Sequence, residues 1–461
     1  MRVDGPTLKK GGETLMGKVV RCSVSLFSGG GFGDVGVEFG AGVPVIACSE
    51  LLKERADVLR RLFPTAAVHC GDIWNCRDSI VNDVRARIGP EARPWLLVMS
   101  PPCQGMSSNG AGRITAAVNK GKRPDMDPRN RLLLPALDIV EALQPEWIIV
   151  ENVKHMQRTD ILNENDEREN LISILERRLF NYDVQPRVVD AAGYGVPQRR
   201  ERLITICRRK STSTLFPFHA PYTHGAGCEK SLVTLHEATR HLGPLDALER
   251  THDSHDPLHH VPTWTRDQYF AMAHTPEGET AFDNDMCVRC GNRSHDTSAT
   301  DCEKCNAMLP RPIIRQTTWK CSECDSVVAI SKKKCGNGHI RTPSAVQKTT
   351  TRVVRAFKTS YRRMHANRPA STLTTNSGVI SSDVKGHPMQ NRVLSLREVL
   401  IVASISSHTT FSPPWSNACT ILESVPEKCL RHIAGESIPP LVLSTLVSYL
   451  DHQEKLHSTV L

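Results

Sequence analysis

From Arg21 onward, short apolar runs alternate with stretches of helical spacing. Cys22 to Phe27 reads as a buried strand, with Ser28-Gly29-Gly30-Gly31 as the turn after it. Val43 to Cys48 predicts a second strand, followed by a helix from about Lys53 to Phe63. Ala66 to Cys70, Trp95 to Met99 and Trp147 to Val150 predict three more strands. Between the last two, Leu133, Leu137 and Val140 mark one face of a helix over Leu132 to Leu143. Such alternation predicts a parallel α/β sheet covered on both faces. Arg187 to Asp190 and Arg202 to Cys207 predict an antiparallel pair joined through Gly193-Tyr194-Gly195-Val196-Pro197. Residues 1 to 20 read as a loose tail. After about Phe216 the pattern breaks: residues 217 to 285 are rich in His, Pro, Gly and Asp, and 286 to 340 hold a cysteine cluster. Helical patterning returns near Leu394, and Pro439-Pro440 precedes a last apolar helix, Leu441 to Leu450.

The 461 residues leave room for two or three domains. No apolar run approaches about 18 residues, so no membrane span is expected. The first residues also lack the apolar core of a secretory signal. Of 16 cysteines, seven fall between Cys287 and Cys335. One paired cluster among scattered singles indicates metal ligands and free thiols, hence an intracellular, reducing compartment. The net charge is +9, and its distribution says more than its size. Between Ser326 and Ser382 there is no Asp or Glu, but there are 11 Lys and Arg residues. A one-signed block of this length repels itself unless a polyanion neutralises it, which points to nucleic acid.

Candidate chemistry sits at the predicted strand ends. The glycine turn after the first strand suits close backbone approach to a cofactor. Glu50, after the second strand, could accept both hydroxyls of a ribose. Asp72, in Gly71-Asp72-Ile73, could accept from an adenine amino group; either acid could equally be a helix cap or turn residue. Cys103, in Pro101-Pro102-Cys103-Gln104 after the fourth strand, is a candidate nucleophile at the edge where open sheets do chemistry. Glu151 follows the fifth strand. A carboxyl beside a thiolate suits a reaction in which the acid protonates a ring that the thiolate attacks. In a strand, Gln198, Arg200 and Arg202 would face one side, where the two arginines could orient a carboxylate or hold a phosphate.

The cysteines carry a separate signal. Cys287-x2-Cys290 and Cys302-x2-Cys305 are separated by eleven residues, and Cys321-x2-Cys324 is followed by Cys335-x3-His339. Paired knuckles at these spacings form closed tetrahedral zinc sites, so two structural ions are expected, with sequential or cross-braced pairing both open. His252, His255, His259 and His260 read as loop and packing residues.

Taken in order, Phe27-Ser28-Gly29-Gly30-Gly31, Glu50, Asp72, Pro102-Cys103-Gln104, Glu151-Asn152-Val153, Gln198-x-Arg200-x-Arg202, Arg368-Pro369-x-x-Thr372-x-Thr374 and Pro439-Pro440 resemble the cytosine-5 DNA methyltransferases. The resemblance covers about residues 21 to 210 and 366 to 450. It implies a doubly wound, Rossmann-like α/β domain that uses S-adenosylmethionine, with an irregular target-recognition domain inserted. The implied boundaries are 21 to 215 for the catalytic domain, 216 to 424 for target recognition including the cysteine insert 286 to 340, and 425 to 461 for the returning helix.

The resemblance also implies roles. Cys103 adds to C6 of a flipped cytosine, Glu151 supports the ring, Arg200 helps position the base, and Arg202 braces the site, with Gln198 counted in the same catalytic motif. Phe27, Gly29, Gly31, Glu50, Asp72, Ile73, Pro102 and Ser437 fall at its cofactor contacts. Gly105 to Arg131 takes the place of the loop that closes over DNA. The partner implied is duplex DNA, met by a single copy of the chain. Three positions depart from the pattern: Ser25 for the usual Asp, Phe32 for a Gly, and Glu436 for the usual Asn. A transfer-RNA cytosine methyltransferase, or a non-catalytic DNA-binding protein of the same fold, would share much of this set. The long cysteine-bearing insert argues against the first, and intact Cys103, Glu151 and Arg200 argue against the second.

Overall fold

The computed structural model describes residues 17–102, 127–210, 216–354, 357–408 and 411–458. Cys103, Gln104 and most of the segment read as a covering loop lie outside the described residues. The centre is a seven-stranded sheet. Its strands are β1 (Val19–Leu26), β2 (Val45–Glu50), β3 (Ala67–Cys70), β4 (Arg93–Met99), β5 (Trp147–Asn152), β6 (Tyr182–Asp190) and β7 (Glu201–Arg209), in the order β3-β2-β1-β4-β5-β7-β6. β1 to β5 are parallel, and β7 runs antiparallel to both of its neighbours.

Alternating side chains fill both faces, as a doubly covered sheet requires. Leu97, Met99, Ile148 and Val150 point into one core with the helices Ile73–Ile88 and Leu133–Leu143. Leu96, Val98, Trp147 and Ile149 point into the other, where the C-terminal helix Pro440–Ser458 supplies Val442, Leu443, Leu446, Val447 and Leu450. That helix is also pinned by polar contacts, because Glu454 accepts the indole N–H of Trp95 at 2.6 Å and of Trp147 at 3.2 Å. A third core joins the helix Lys53–Leu62 to the helices Leu396–Val402 and Glu427–Glu436 through Leu59, Phe63, Val399, Leu400, Leu430 and Ile433. Residues from about Leu394 onward therefore pack with the sheet layer.

Three local expectations need correction. β1 begins at Val19, inside the stretch read as tail, because Val19 and Val20 pair with Arg93 and Pro94. β5 runs on to Asn152, so Glu151 lies within the strand, paired with Ile204 of β7. Gln198 and Arg200 precede β7, and only Arg202 is in it. Pro197 has no N–H for a ladder. The chain instead runs beside residue 370, with Arg199 N–H donating to the Ala370 carbonyl and Ala370 N–H to that of Pro197.

The region between the sheet-forming halves is loop-rich and has small cores. Buried arginines stand in for secondary structure there. The Arg363 guanidinium donates to the carbonyls of Met272, Thr275, His387 and Gln390. A three-stranded antiparallel sheet of β8 (Ile313–Lys320), β9 (Val327–Ala329) and β10 (Gln347–Val353), ordered β9-β8-β10, projects from this region with the cysteine modules. Among the described residues, no single helix is long and apolar enough to cross a membrane.

Candidate active site and metal centres

The strand order reverses between β1 and β4, which opens a crevice at the carboxyl ends of the parallel strands. β1 leaves into Phe27 (φ 58°), Gly29 (φ 57°) and Gly31 (φ 81°), a left-handed run. At Gly31 a side chain would be strained by φ and would also meet Leu59 at 2.7 Å. Glu50, at the end of β2, is buried and grips this turn. One carboxylate oxygen accepts Gly29 N–H at 3.0 Å and the other accepts Leu52 N–H at 2.9 Å. Burial pushes its carboxyl up, and the Leu52 amide and Arg55 draw it back. A carboxylate offers about four acceptor sites, so two remain for hydroxyl donors.

Gly71 N–H bonds to the Glu50 carbonyl, which sets Asp72 and Ile73 beside Glu50. Asp72 is the N-cap of the helix Ile73–Ile88, accepting Trp74 N–H at 3.1 Å, so the cap role is met. Ile73 is 4 % exposed, whereas Leu51 is 63 % and Trp74 40 % exposed. Sequence reasoning missed Leu51 and Trp74, two apolar side chains left open next to an acid that faces a crevice. Ser437 is half-buried after the helix Glu427–Glu436. The preceding Glu436 is held by Arg55 at 2.7 Å. The departure from the usual Asn is thus an ion pair to the helix behind Glu50.

Ser25, the first departure, has a counterpart also missed. Asp34, on the short helix Phe32–Val35, is 3 % exposed and hydrogen-bonds the Ser25 side chain. The carboxyl that the pattern carries on the strand stands here on the following helix. Burial pushes it up to about 7, with the Ser25 bond lowering it in part. An unfolded chain would return it to the ordinary 3.8. The neutral form is the one the fold favours, so its contribution to stability is full below that value and is lost as pH rises through about 7. Asp34→Asn should therefore flatten this part of the pH–stability curve. It should also raise stability above wild type near pH 8, by up to about 4 kcal/mol. Thermal melts between about pH 5 and 8 would check this, and parallel curves for the two proteins would refute it.

The second half of the crevice is built from β4, β5 and β7. Met99 pairs with Val150, so Pro101 and Pro102 emerge beside Glu151 and Asn152. Asn152 Nδ2 donates to the Pro101 carbonyl at 3.1 Å, tying the loop that leads to Cys103 to the end of β5. Glu151 is 6 % exposed, and Arg202 Nε reaches its carboxylate at 3.0 Å. Arg200, 1 % exposed, donates to the carbonyls of Leu373 at 3.2 Å and Gly435 at 3.1 Å. Gly435 must be glycine, since a Cβ would lie 2.4 Å from the Thr374 backbone. Gln198 accepts Leu373 N–H at 2.9 Å and donates to the Val402 carbonyl at 3.1 Å. Gln198 and Arg200 thus clamp the 370–375 segment and the Gly435 turn to the sheet, while Arg202 alone touches Glu151. Asp190, which sequence reasoning passed over, organises the approach: it accepts Arg200 N–H at 3.0 Å and pairs with Arg199 at 2.7 Å.

The cysteine ligands gather in two sequential groups, Cys287-Cys290-Cys302-Cys305 and Cys321-Cys324-Cys335-His339, each with its ligand atoms within 4.8 Å of one another. Sulfur–sulfur separations of 3.5 Å (Cys287–Cys305), 3.6 Å (Cys290–Cys302) and 3.7 Å (Cys324–Cys335) fit thiolates about 2.3 Å from a tetrahedral ion, four in the first group and three beside His339 in the second. His339 offers Nδ1, 3.6 Å from Cys321 Sγ, while its Nε2 faces Glu323 at 3.5 Å. An outer carboxylate of that kind orients a ligating imidazole. Each CxxC knuckle turns on a left-handed residue just after it: Gly291, Asn306 and Asp325. These are types that tolerate that backbone. Arg311, 2 % exposed, closes the first module by donating to the carbonyls of Asn284, Ser294 and Ala299. The four histidines of 252–260 form no such group among the described residues. His259 is buried between Ser395 and the Gly243 carbonyl.

Comparison with known proteins bears on the family and the fold. The family profile described as C-5 cytosine-specific DNA methylase matches residues 22–450. Type II methyltransferase M1.HgaI of Avibacterium volantium is 26% identical over 427 residues, covering 92% of this chain and 96% of that protein. Type II methyltransferase M1.HphI of Haemophilus parahaemolyticus is 30% identical over 232 residues, 47% of this chain and 57% of that protein. Among solved structures, a prophage-encoded E. coli protein described as a DNA modification methyltransferase superposes with TM-score 0.55 at 16% identity, covering 95% of this chain and all of that one (100%).

Proposed function

The chain belongs to the C-5 cytosine-specific DNA methylase family, and from that membership we propose that it methylates C5 of a flipped cytosine within a short specific sequence of duplex DNA. S-adenosylmethionine supplies an electrophilic methyl group to this chemistry. The chain's own part begins at the crevice. Glu50 accepts the ribose hydroxyls, and Leu51 and Trp74 offer apolar surface to the adenine. Cys103, as thiolate, adds to C6, and the C5=C6 electron pair moves into the ring. Glu151, oriented by Arg202, hydrogen-bonds the N3 edge and supports that charge. With S-adenosylmethionine bound, C5 would take its methyl group as the sulfonium S–CH3 bond breaks and the thioether S-adenosylhomocysteine leaves. Loss of the C5 proton to water would then restore the C5=C6 double bond and expel the Cys103 thiolate.

The observation that carries the reading is the Arg202–Glu151 pair at 3.0 Å beside the Asn152–Pro101 tie at 3.1 Å. Together they put an oriented acid beside Pro101, two residues before Cys103. Zinc in the two cysteine groups is structural in this reading, because closed four-ligand sites leave no open position for catalysis. The likeness to Type II methyltransferases along nearly the whole chain supports a restriction–modification role inside a cell; action by one copy of the chain at a time is part of the proposal. The test is methyl transfer from labelled cofactor, with duplex DNA and transfer RNA offered in parallel. Label is expected in 5-methylcytosine of the duplex; label confined to transfer RNA overturns the proposal. Bisulfite sequencing of methylated DNA then reads out the site.

A further inference from the structure

We propose that one face of the β8–β10 sheet lies against duplex DNA, with Lys348 and Arg352 on phosphates and Gln316, Thr318 and Thr350 between them. The proposal rests on the DNA substrate argued above and names a surface that the catalytic reading does not require.

The register decides which side chains share that face. Ile314 pairs with Arg352, Gln316 with Thr350, and Thr318 with Lys348. Side chains alternate along a strand, so these six point to one side. The other side carries Trp319, 1 % exposed, packed with Cys321 and Cys335 of the second cysteine module. Thr317 and Thr349, on that same side, hydrogen-bond each other at 2.9 Å. The metal module therefore covers the Trp319 end of that side and leaves the opposite face open. β10 is exposed from Gln347 to Arg352.

Charge then selects the occupant. β10 lies in the acid-free stretch from Ser326 to Ser382. The other bases of the sheet are already partnered: Arg315 with Asp267 at 2.8 Å and Lys320 with Asp325 at 2.8 Å. Among the described residues, Lys348 and Arg352 form no ion pair. Four residues of strand separate them by about 13 Å. A major groove is about 12 Å wide and admits an antiparallel ribbon of this kind. The amide and hydroxyl groups between the two bases are types that hydrogen-bond base edges and phosphates alike.

The test uses the full chain and random-sequence duplex DNA, titrated by fluorescence anisotropy over a series of salt concentrations. K348A/R352A is expected to bind several-fold more weakly, with the slope of log affinity against log salt reduced by about 2. T349A/T351A, on the opposite side of the sheet, is expected to keep wild-type affinity and slope. Metal content equal to wild type shows that each variant keeps its fold. A K348A/R352A protein with wild-type affinity and slope overturns this inference alone, including the case where it self-associates because the charges only guard an exposed sheet edge. A wild type that neither binds nor methylates duplex DNA overturns the functional reading as well.

Discussion

Cys103→Ala is expected to cut methyl transfer by at least about 10^4-fold while cofactor binding and thermal stability stay near wild type. The nucleophile is the one group whose loss has no substitute in this reading, because ring addition creates the charge that every other group supports. The framework that delivers it does not depend on sulfur. Pro101 is buried, its carbonyl is held by Asn152, and Met99 is locked between β1 and β5. Proline at 101 and 102 further restricts the backbone that leads into the loop. The check is duplex DNA carrying 5-fluorocytosine, where fluorine at C5 cannot leave as a proton and the thioether adduct persists. Wild type should give a covalent complex on a denaturing gel, and Cys103→Ala none. A trapped complex with the alanine variant, or activity above about a tenth of wild type, removes Cys103 from the mechanism.

Glu151→Gln serves as the companion. It keeps the side-chain shape and should lose about 10^2- to 10^4-fold, the usual range for a positioned acid. Combined with Cys103→Ala it should add little, since groups that act in one step are not additive.

The strand ends were legible because β1 to β5 are buried on both faces. Such strands read as short, nearly unbroken apolar runs, and the residue after each run falls on one edge of a parallel sheet. Glu50, Pro101 and Pro102, and Glu151 were found in this way. The cysteine knuckles were legible for a different reason: metal geometry fixes ligand spacing, and left-handed turns then favour Gly291, Asn306 and Asp325. What stayed hidden depends on contacts between distant segments. Gln198 and Arg200 looked like strand neighbours of Arg202, yet they clamp segments 173 and 235 residues away. Asp34 carries no signal in period or spacing, and only packing shows it buried against Ser25. Arg55 and Glu436 form one pair from opposite ends of the chain. Period and spacing report what a segment does with itself, and these residues do their work elsewhere.

Removing metal with a chelator is expected to unfold both cysteine modules and leave the seven-stranded core intact. The first module's buried cluster is Cys287, Cys302 and Leu309, and the second's is Trp319, Cys321 and Cys335. More than half of each cluster is ligand. Apolar burial on this scale cannot offset the entropy of ordering the loops around it. A bound structural zinc supplies on the order of 10–16 kcal/mol, enough to hold such a module folded. The prepared protein should therefore carry two zinc ions, one for each ligand group. After chelation, limited proteolysis should cut within residues 286–354 while the core fragments survive. DNA affinity should fall with the loss of the β8–β10 face, whereas cofactor binding at Glu50 should persist, because the two sites share no residue. Cys302→Ser should lose one equivalent of zinc and keep the other, since the two ligand groups are sequential and do not interleave. Metal content well under two equivalents, or unchanged protease resistance in metal-free protein, would show that the cysteine clusters hold together without zinc.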